Sequence, residues 1–236
     1  MTTKILGICG SPIKKGNAEV FLEEALKGAA EISGIKTEII SLAGKKFSGC
    51  IHCNYCAIKQ KEGDFCSLKD DLSAVYPKML EADGYLFASP VYITRMTGQL
   101  ACFFDRMRAI GHGSYYKKRM AGKAAGALSV IWFRNSGAET TLLSIIQAIL
   151  LFQGYPVTAG MDSAYGAVGF SSLQGESILD KDNPKDKLLV RRDLYGMKMA
   201  RKIGSNTAEL AKILKAGKET LVARGEKISL RGFRNG

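Results

Sequence analysis

Four of the six cysteines in this 236-residue chain crowd into one short stretch. Three of them form Cys50-x2-Cys53-x2-Cys56, and Cys66 follows after nine further residues. The chain enters a strand directly after Met1-Thr2-Thr3, with no signal peptide, so we expect it in the cytoplasm. Disulfide frameworks are rare in that reducing compartment. The crowding therefore predicts metal binding or redox chemistry at this stretch.

A second stretch combines glycine, serine and asparagine between an apolar strand and an amphipathic helix, as Gly10-Ser11-Pro12-Ile13-Lys14-Lys15-Gly16-Asn17-Ala18. Such a strand–turn–helix directs several backbone N–H groups and a helix N-terminus at one point, which suits a phosphate group. Ser11 and Asn17 add side-chain donors. The stretch has neither the Gly-Lys-Ser/Thr of the Walker motif nor the spacing of the GxGxxG fingerprint. An ordinary turn in which the asparagine caps the helix is the alternative.

Strand and helix patterns alternate along the first two thirds of the chain. The third strand is expected to end at Ser89-Pro90. Alternation of this kind predicts an α/β fold with a parallel, doubly wound sheet. Five strands with right-handed crossovers favour the flavodoxin-like order 2-1-3-4-5. The strand patterns lie at residues 4–9, 35–40, 85–88, 124–133 and 154–160, and the helical patterns at 18–30, 70–80, 99–110 and 139–152.

The remaining sequence differs in character. Residues 165–186 are rich in Gly, Ser and Asp and are expected to form a loop. Residues 188–221 have a long basic helical pattern, interrupted at Gly204-Ser205-Asn206, and a frayed basic tail is expected at 228–236. The predicted organisation is one flavodoxin-like domain at 1–165, with a cysteine-rich insertion at 43–68, followed by a loop and a basic C-terminal helical extension at 166–236.

Doubly wound sheets bind ligands outside the carboxyl ends of the strands where the strand order reverses, here between the first and third strands. Three loops are predicted to converge there, at residues 11–18, 89–98 and 134–140. The second loop begins Ser89-Pro90-Val91-Tyr92, an apolar and aromatic edge on which a flat ring can lie, and the third is small and polar. A phosphate cradle, a ring platform and a third polar loop together predict a flavin mononucleotide (FMN) site.

Several motifs, taken in order, resemble the NADPH-dependent FMN reductase group over residues 4–160. Within that group the cysteine stretch resembles the iron–sulfur flavoproteins, whose compact cysteine motif binds a [4Fe–4S] cluster beside FMN. Two features depart from the pattern: the long spacing before Cys66, and Ala101-Cys102, which stands where relatives commonly have a lysine. The motifs are Gly10-Ser11-Pro12, Gly16-Asn17-Ala18, Ala82-Asp83-Gly84, Ser89-Pro90-Val91-Tyr92, Thr97-Gly98-Gln99-Leu100 and Asp105-Arg106.

The resemblance implies a set of residues for each cofactor. The first loop matches the phosphate-binding positions, the second matches the loop along the isoalloxazine ring, and the third falls where another FMN loop lies. The predicted FMN-binding residues are Ser11, Gly16, Asn17, Ala18, Ser89, Pro90, Val91, Tyr92, Gly137, Ala138 and Glu139. The predicted cluster ligands are Cys50, Cys53, Cys56 and Cys66.

The ligand chemistry of the cysteine stretch leaves three interpretations. Three thiolates of a C-x2-C-x2-C motif can face one four-iron cluster while a more distant cysteine closes it. Four cysteines can instead hold tetrahedral zinc, although zinc sites usually contain two separate C-x2-C pairs. Reduced thiols that bind nothing are the third interpretation. We favour the [4Fe–4S] cluster, with no ligand role for His52.

The chain has no Ser-His-Asp or HExxH constellation. No catalytic side chain is predicted, because a flavin itself performs the electron transfer. The favoured function, as the resemblance implies, is an FMN-dependent oxidoreductase that passes electrons between FMN and a one-electron carrier similar to ferredoxin. The alternative is an NAD(P)H-dependent FMN or quinone reductase with an unoccupied cysteine loop.

Charge and hydropathy limit the partners. The net charge is +12, and residues 181–236 hold 15 Lys/Arg and 6 Asp/Glu, which places +9 in this last quarter. A basic segment suits nucleic acid or an acidic redox partner, and the second is favoured because the segment has no DNA-binding motif. No apolar run reaches the roughly 18–20 residues of a membrane span. The C-terminal helical region must bury its apolar side, either on its own domain or on another subunit, and the resemblance favours a homodimer or homotetramer.

Overall fold

The chain alternates strands and helices, as its hydrophobic pattern predicts. The computed structural model describes residues 2–183 and 185–228. Beyond Ile228, the predicted tail at 228–236 lies outside the described residues. No helix in the described part is both long and apolar enough to cross a lipid bilayer. The elements are β1 (Thr3–Cys9), α1 (Asn17–Ala30), β2 (Ile35–Ser41), α2 (Tyr55–Ile58), α3 (Val75–Glu81), β3 (Gly84–Tyr92), β4 (Arg95–Met96), α4 (Gly98–Gly111), β5 (Ala124–Ile131), α5 (Ala138–Leu151), β6 (Tyr155–Val157), β7 (Ala167–Phe170) and α6 (Leu194–Ala223), with 3-10 turns at Gly160–Asp162 and Leu189–Arg192.

A parallel sheet with the strand order β2-β1-β3-β5-β6 forms the centre of the fold. The short strand β4 lies off this path and pairs with β3. Counted without it, the order is the predicted 2-1-3-4-5, so the doubly wound, flavodoxin-like topology is confirmed. The order reverses between β1 and β3, whose carboxyl ends therefore flank the predicted crevice.

Helices cover both faces of the sheet, so most residues of its central strands β1, β3 and β5 are buried. Alternate residues of β1 belong to different cores: Leu6 and Ile8 pack toward α3, α4 and α5, whereas Ile5 and Cys9 pack toward α1 and α6. Burial raises the pKa of the Cys9 thiol to about 12. Cys9 is therefore a core residue and not a candidate ligand.

The third strand is longer than predicted. It does not end at Ser89-Pro90 but continues to Tyr92 and turns back, antiparallel, into β4. The pairing with β1 has already ended beside Ala88. On that side the missing N–H of Pro90 therefore interrupts no ladder hydrogen bond, and the strand tolerates the proline.

The segment predicted as a loop at 165–186 contains the strand β7. It pairs in parallel with Leu128–Ile131 of β5, while β6 pairs with Ala124–Gly126 of the same strand. Two short strands thus share the outer position beside β5. The prediction of a plain loop was wrong because the four residues Ala167–Phe170 are too few to show a strand pattern.

The long helix α6 runs unbroken through Gly204-Ser205-Asn206, so the predicted interruption does not occur. A Cβ built on Gly204 would lie only 1.7 Å from Ala25 O, which shows that α6 crosses α1 at backbone contact. Ser205 Oγ donates to Lys202 O (3.0 Å), and Asn206 Nδ2 donates to Thr158 O (2.9 Å). These polar side chains are therefore satisfied without leaving the helix.

The apolar side of α6 is buried within its own chain. Met199 and Ile203 belong to the core shared with α1, and Leu210 and Leu214 pack against that core. The division into a domain at 1–165 and an extension at 166–236 stays a prediction.

We expect Gly204→Ala to destabilise the protein by about 1–3 kcal/mol, because the added methyl group meets the α1 backbone. The matched control is Gly217→Ala on the same helix, where nothing lies within 4 Å of a built Cβ. There alanine should stabilise by roughly 0.5–1 kcal/mol through its lower conformational entropy. Urea unfolding followed by circular dichroism measures both. A stabilising Gly204→Ala would show that α1 and α6 separate at little cost.

Candidate functional site

The turn between β1 and α1 presents an uncapped helix N-terminus. The N-cap residue is Gly16, which offers no side-chain cap. Glu19 N donates to Gly16 O (3.0 Å), whereas the amides of Asn17 and Ala18 have no acceptor within the helix and lie at its positive dipole end. Ser11 is buried, and its Oγ accepts a hydrogen bond from Ile13 N (3.1 Å), which closes the turn. Ala18 is buried in the core beneath it. This geometry suits an anion such as a phosphate.

The side chain of Asn17 binds another part of the chain. Its Nδ2 donates to Lys187 O (2.8 Å), and its Oδ1 accepts from Val190 N (3.0 Å). Asn17 is also not the helix cap, because Gly16 occupies that position. The side chain of Asn17 therefore connects residues 187–190 to the turn. In this structure its backbone amide, and not its side chain, is available to bind a phosphate.

Thr97 links the first and second loops. Its Oγ1 donates to Gly10 O (2.6 Å) and accepts from Leu100 N (3.2 Å), which caps α4. Ser89 is fully buried, and its Oγ accepts from Thr97 N (3.1 Å). The next residues are more accessible: Pro90 and Val91 are half-buried, and Tyr92 is 44% exposed. Two predicted loops thus meet at one polar junction, with an apolar edge next to it.

The third loop contacts the hairpin between β3 and β4. The hairpin turn, Ile93-Thr94, has two consecutive β-branched residues at φ of +48° and +60°, a left-handed conformation that such residues rarely adopt. Gly137 has φ of +102°, and a Cβ built on it would lie 2.3 Å from Thr94 O. The loop therefore holds the strained turn in place, and strain of this kind tends to occur at functional sites. Next to Gly137, Ala138 is buried and Glu139 is exposed.

Three hydroxyls near the start of α5 are buried without a partner. Ser129 Oγ, Ser136 Oγ and Thr141 Oγ1 make no hydrogen bond within the described residues. Ser129 lies beside Ser89 in the sheet, and Ser136 belongs to the third loop. A buried hydroxyl without a partner costs about 1–3 kcal/mol. A ligand with a polar edge at the third loop therefore fits this part of the chain.

The cysteine insertion lies at the same edge of the sheet as the three loops. Leu42 N donates to Cys9 O (2.9 Å), and Gln99 Nε2 donates to Leu42 O (3.0 Å). The insertion thus starts between the end of β1 and the start of α4. It then lies along α4, since a Cβ built on Gly49 would be 3.5 Å from Cys102 Sγ.

Arg106 of α4 ties the two ends of the insertion together. Its side chain is almost fully buried, with Nη1 donating to Ser48 O (3.2 Å) and Nη2 to Leu68 O (3.3 Å). The same two nitrogens donate to Asp70 at 2.6 and 3.2 Å. Burial has the largest single influence and opposes the charge, but the hydrogen bond to Asp70 and the nearby negative charges together outweigh it, so the pKa of Arg106 is raised.

Gln60 anchors the middle of the insertion. Its Nε2 donates to Phe65 O (2.9 Å) and to Ala109 O (2.7 Å), and its Oε1 accepts from Tyr115 N (3.1 Å) and Tyr116 N (3.0 Å). This buried amide uses both of its donors and both acceptor positions. It joins the insertion to α4 and to the segment that follows α4.

The four thiols are neighbours but are not tightly grouped. Cys56 is buried, Cys66 is half-buried, and Cys50 and Cys53 are exposed. Burial raises the pKa of Cys56, Arg108 opposes the rise, and Cys66, Cys50 and Cys53 add to it, so all four share one electrostatic neighbourhood. Within residues 2–183 and 185–228, no three His, Cys, Asp or Glu side chains are close enough to hold a single metal ion.

The sequence model of the NADPH-dependent FMN reductase family matches residues 3–161. The chain belongs to this family. It is 35% identical to an iron–sulfur flavoprotein of Methanocaldococcus jannaschii over 213 residues, which cover 90% of this chain and 99% of that protein. It is 33% identical to an iron–sulfur flavoprotein of Archaeoglobus fulgidus over 206 residues, 87% and 96% of the two chains. The flavodoxin, WrbA-like protein from Agrobacterium tumefaciens has a similar fold, with a TM-score of 0.57 at 13% identity over 90% and 99% of the two chains.

Membership of the FMN reductase family makes the chain a flavin-dependent oxidoreductase, and it confirms the predicted dependence on FMN. The relatives' names agree with the resemblance read from the cysteine motif. Which residues of this family member bind FMN, and whether its thiols bind a cluster, stay predictions.

Sequence reasoning missed the side chains that position the insertion in this FMN reductase family member. Arg106 did leave a signal, because it is a charged residue in the apolar helical stripe of Phe103 and Met107, and because Asp105-Arg106 is one of the motifs on which the resemblance rests. Gln60 left none. Its four partners come from three separate segments, and no local pattern reports them.

A lysine with a strongly shifted pKa lies away from the site. Lys123 is buried just before β5, and its Nζ donates to Met79 O (3.3 Å), Leu80 O (3.2 Å) and Tyr85 Oη (3.0 Å). Burial lowers its pKa to about 7. Its carbonyl partners belong to the last turn of α3, so Lys123 stabilises a helix C-terminus at the opposite edge of the sheet from the FMN loops.

Proposed function

We propose that this FMN reductase family member is an iron–sulfur flavoprotein that passes electrons between FMN and a one-electron carrier of the ferredoxin kind. In this proposal the three loops bind FMN, and Cys50, Cys53, Cys56 and Cys66 bind a [4Fe–4S] cluster. The observation that carries it is the position of the cysteine insertion, which lies on α4 at the sheet edge formed by the FMN loops.

The arrangement of the thiols supports a cluster more than a single ion. A tetrahedral zinc ion with bonds of about 2.3 Å needs its four sulfurs tightly grouped. Each thiolate of a four-iron cluster binds a different iron, so the sulfurs stand farther apart. The four thiols share one electrostatic neighbourhood without forming a tight group. The donor set of four thiols therefore fits the cluster.

The chain's own residues would bind and orient the cofactors. FMN exchanges electrons in pairs or singly and a cluster exchanges them singly, so together they join two-electron and one-electron partners. The amides of Asn17 and Ala18 at the start of α1 would bind the phosphate, Val91 and Tyr92 would line the ring, and the Ser136 hydroxyl would meet a polar edge of the ligand. Arg106 and Gln60 hold the insertion against α4.

An NAD(P)H-dependent FMN or quinone reductase with an empty cysteine loop is the second candidate. The exposure of Cys50 and Cys53 favours this second candidate, because water can solvate an exposed thiol and no metal ligand is needed to stabilise it. In this function NAD(P)H is the direct electron donor and the insertion has no redox role.

Exposed basic side chains around the site support an acidic carrier as partner. Lys14, Lys15 and Arg95 are exposed on the first and second loops, where positive charge steers an acidic protein toward the site. Basic residues of α6 are engaged within the chain instead, as in the ion pair of Lys202 with Asp162 (2.6 Å). We therefore assign carrier docking to the loops and not to the basic C-terminal region.

A homodimer or homotetramer in the cytoplasm belongs to the same proposal. Because α6 buries its apolar side within the chain, the support for association comes from exposed apolar side chains near the site, namely Ile51 (61% exposed), Ile58 (73%) and Ile93 (87%). The cysteines form no disulfide, which fits a reducing compartment. Sedimentation that shows only monomer at micromolar concentration would contradict the assembly.

The experiment that tests the proposed function is anaerobic purification, followed by a visible spectrum and by iron and acid-labile sulfide assays. We expect a flavin band, a broad brown shoulder and about four irons per chain. Replacing all four motif cysteines by serine should remove the iron and leave the flavin. The matched control is Cys102→Ser, a half-buried thiol outside the motif, which should retain both cofactors.

Two outcomes separate the candidates. A flavin band without iron, even after anaerobic reconstitution, together with fast NADPH oxidation, would identify the second candidate. Iron that remains after all four cysteines are replaced would show that the ligand assignment is wrong.

A further inference from the structure

Arg108 of α4 places a guanidinium group on the cysteine turn. Its Nη2 donates to Asn54 Oδ1 at 2.8 Å. Asn54 lies between Cys53 and Cys56, adopts a left-handed φ of +58° and begins α2. Arg108 therefore supports the turn that carries two of the four thiols. Its side chain is thus a cationic group bound to that turn by a hydrogen bond.

The other terminal nitrogen of Arg108 has no partner. Nη1 is buried, and no hydrogen-bond acceptor in the described part of the chain contacts it. An arginine cannot lose its proton in a protein, and a buried charged donor without an acceptor is more costly than a neutral one. Both nitrogens belong to one rigid plane. With Nη2 fixed on Asn54, Nη1 is held beside the same turn.

We propose that Arg108 Nη1 donates a hydrogen bond to a sulfur of the iron–sulfur group bound at the cysteine motif, and that its charge raises the reduction potential of that group. The inference rests on the proposed function, because the acceptor is the cluster or one of its thiolates. Hydrogen bonds to the sulfurs and local charge set the potentials of such clusters. Reduction adds one electron and one negative charge, so a fixed positive charge stabilises the reduced form more than the oxidised form. Arginine stays protonated throughout, so no proton is transferred.

The test compares reduction potentials of iron-loaded proteins, measured by redox titration with visible and EPR detection. Arg108→Met should lower the equilibrium constant for one-electron reduction at least tenfold, which is about 59 mV. Arg108→Gln should do the same while retaining a donor for Asn54. The control is Arg224→Met, which removes the same charge from an exposed position at the end of α6 and should leave the potential unchanged.

The outcomes separate this inference from the proposed function. Iron-loaded Arg108→Met or Arg108→Gln with an unchanged potential would overturn the role of Arg108 while leaving the cluster in place. Loss of iron from both variants, with an unchanged free energy of unfolding, would support direct contact between Arg108 and the group. Wild-type protein that holds no iron after reconstitution would overturn the proposed function, and this inference with it.

Discussion

Replacing Arg106 by methionine should lower the free energy of unfolding by about 3–5 kcal/mol, because it leaves the carboxylate of Asp70 without its partner in a largely buried position. The same change removes the donors to Ser48 O and Leu68 O, so both ends of the cysteine insertion lose their hydrogen bonds to α4. We therefore also expect the iron content of the anaerobically purified protein to fall. Urea unfolding and an iron assay on the same preparations measure the two effects.

Two further variants separate charge from geometry at Arg106. Arg106→Lys keeps the charge but loses the planar fork, so it should recover only part of the stability. Adding Asp70→Asn to Arg106→Met removes the unpaired charge and should recover some of the loss without restoring the iron. Arg224→Met, on the surface, should change stability by no more than about 0.5 kcal/mol. A full iron content in Arg106→Met would show that the insertion holds its shape without this anchor.

Replacing Gly137 by alanine should weaken FMN binding at least tenfold, or about 1.4 kcal/mol. The positive φ of Gly137 costs an alanine about 1–2 kcal/mol, and the new methyl group would overlap the backbone of Thr94. The third loop and the Ile93-Thr94 turn must then move apart. Titration of the flavin-free protein with FMN, followed by quenching of flavin fluorescence, measures the affinity.

The control for Gly137 is Gly225→Ala at the end of α6. Gly225 also has a positive φ, +76°, but nothing lies within 4 Å of a built Cβ. This variant carries the backbone strain without the overlap, and its FMN affinity should equal that of the wild type. Equal affinities for Gly137→Ala and the wild type would show that the third loop does not shape the FMN site.

The topology of the sheet and the convergence of the three loops were predictable from the sequence. Periodicity identifies strands and helices locally, and the handedness of crossovers leaves few ways to order them. Once the order is known, the carboxyl ends of β1, β3 and β5 must meet at one edge. The cysteine motif was also visible in the sequence, because its chemistry depends on residue types at short spacing.

The contacts that position those groups were decided by the tertiary structure. Arg106 and Arg108 contact partners 36 to 58 residues away in the chain, and Asn17 binds a segment about 170 residues away. Local patterns carry no information about such pairs. The same holds for Gly204, where a residue that locally indicates a break is the one that lets α6 touch α1. Residue types and periodicity thus determined the fold and the candidate chemistry, whereas long-range packing decided which side chains hold the site together.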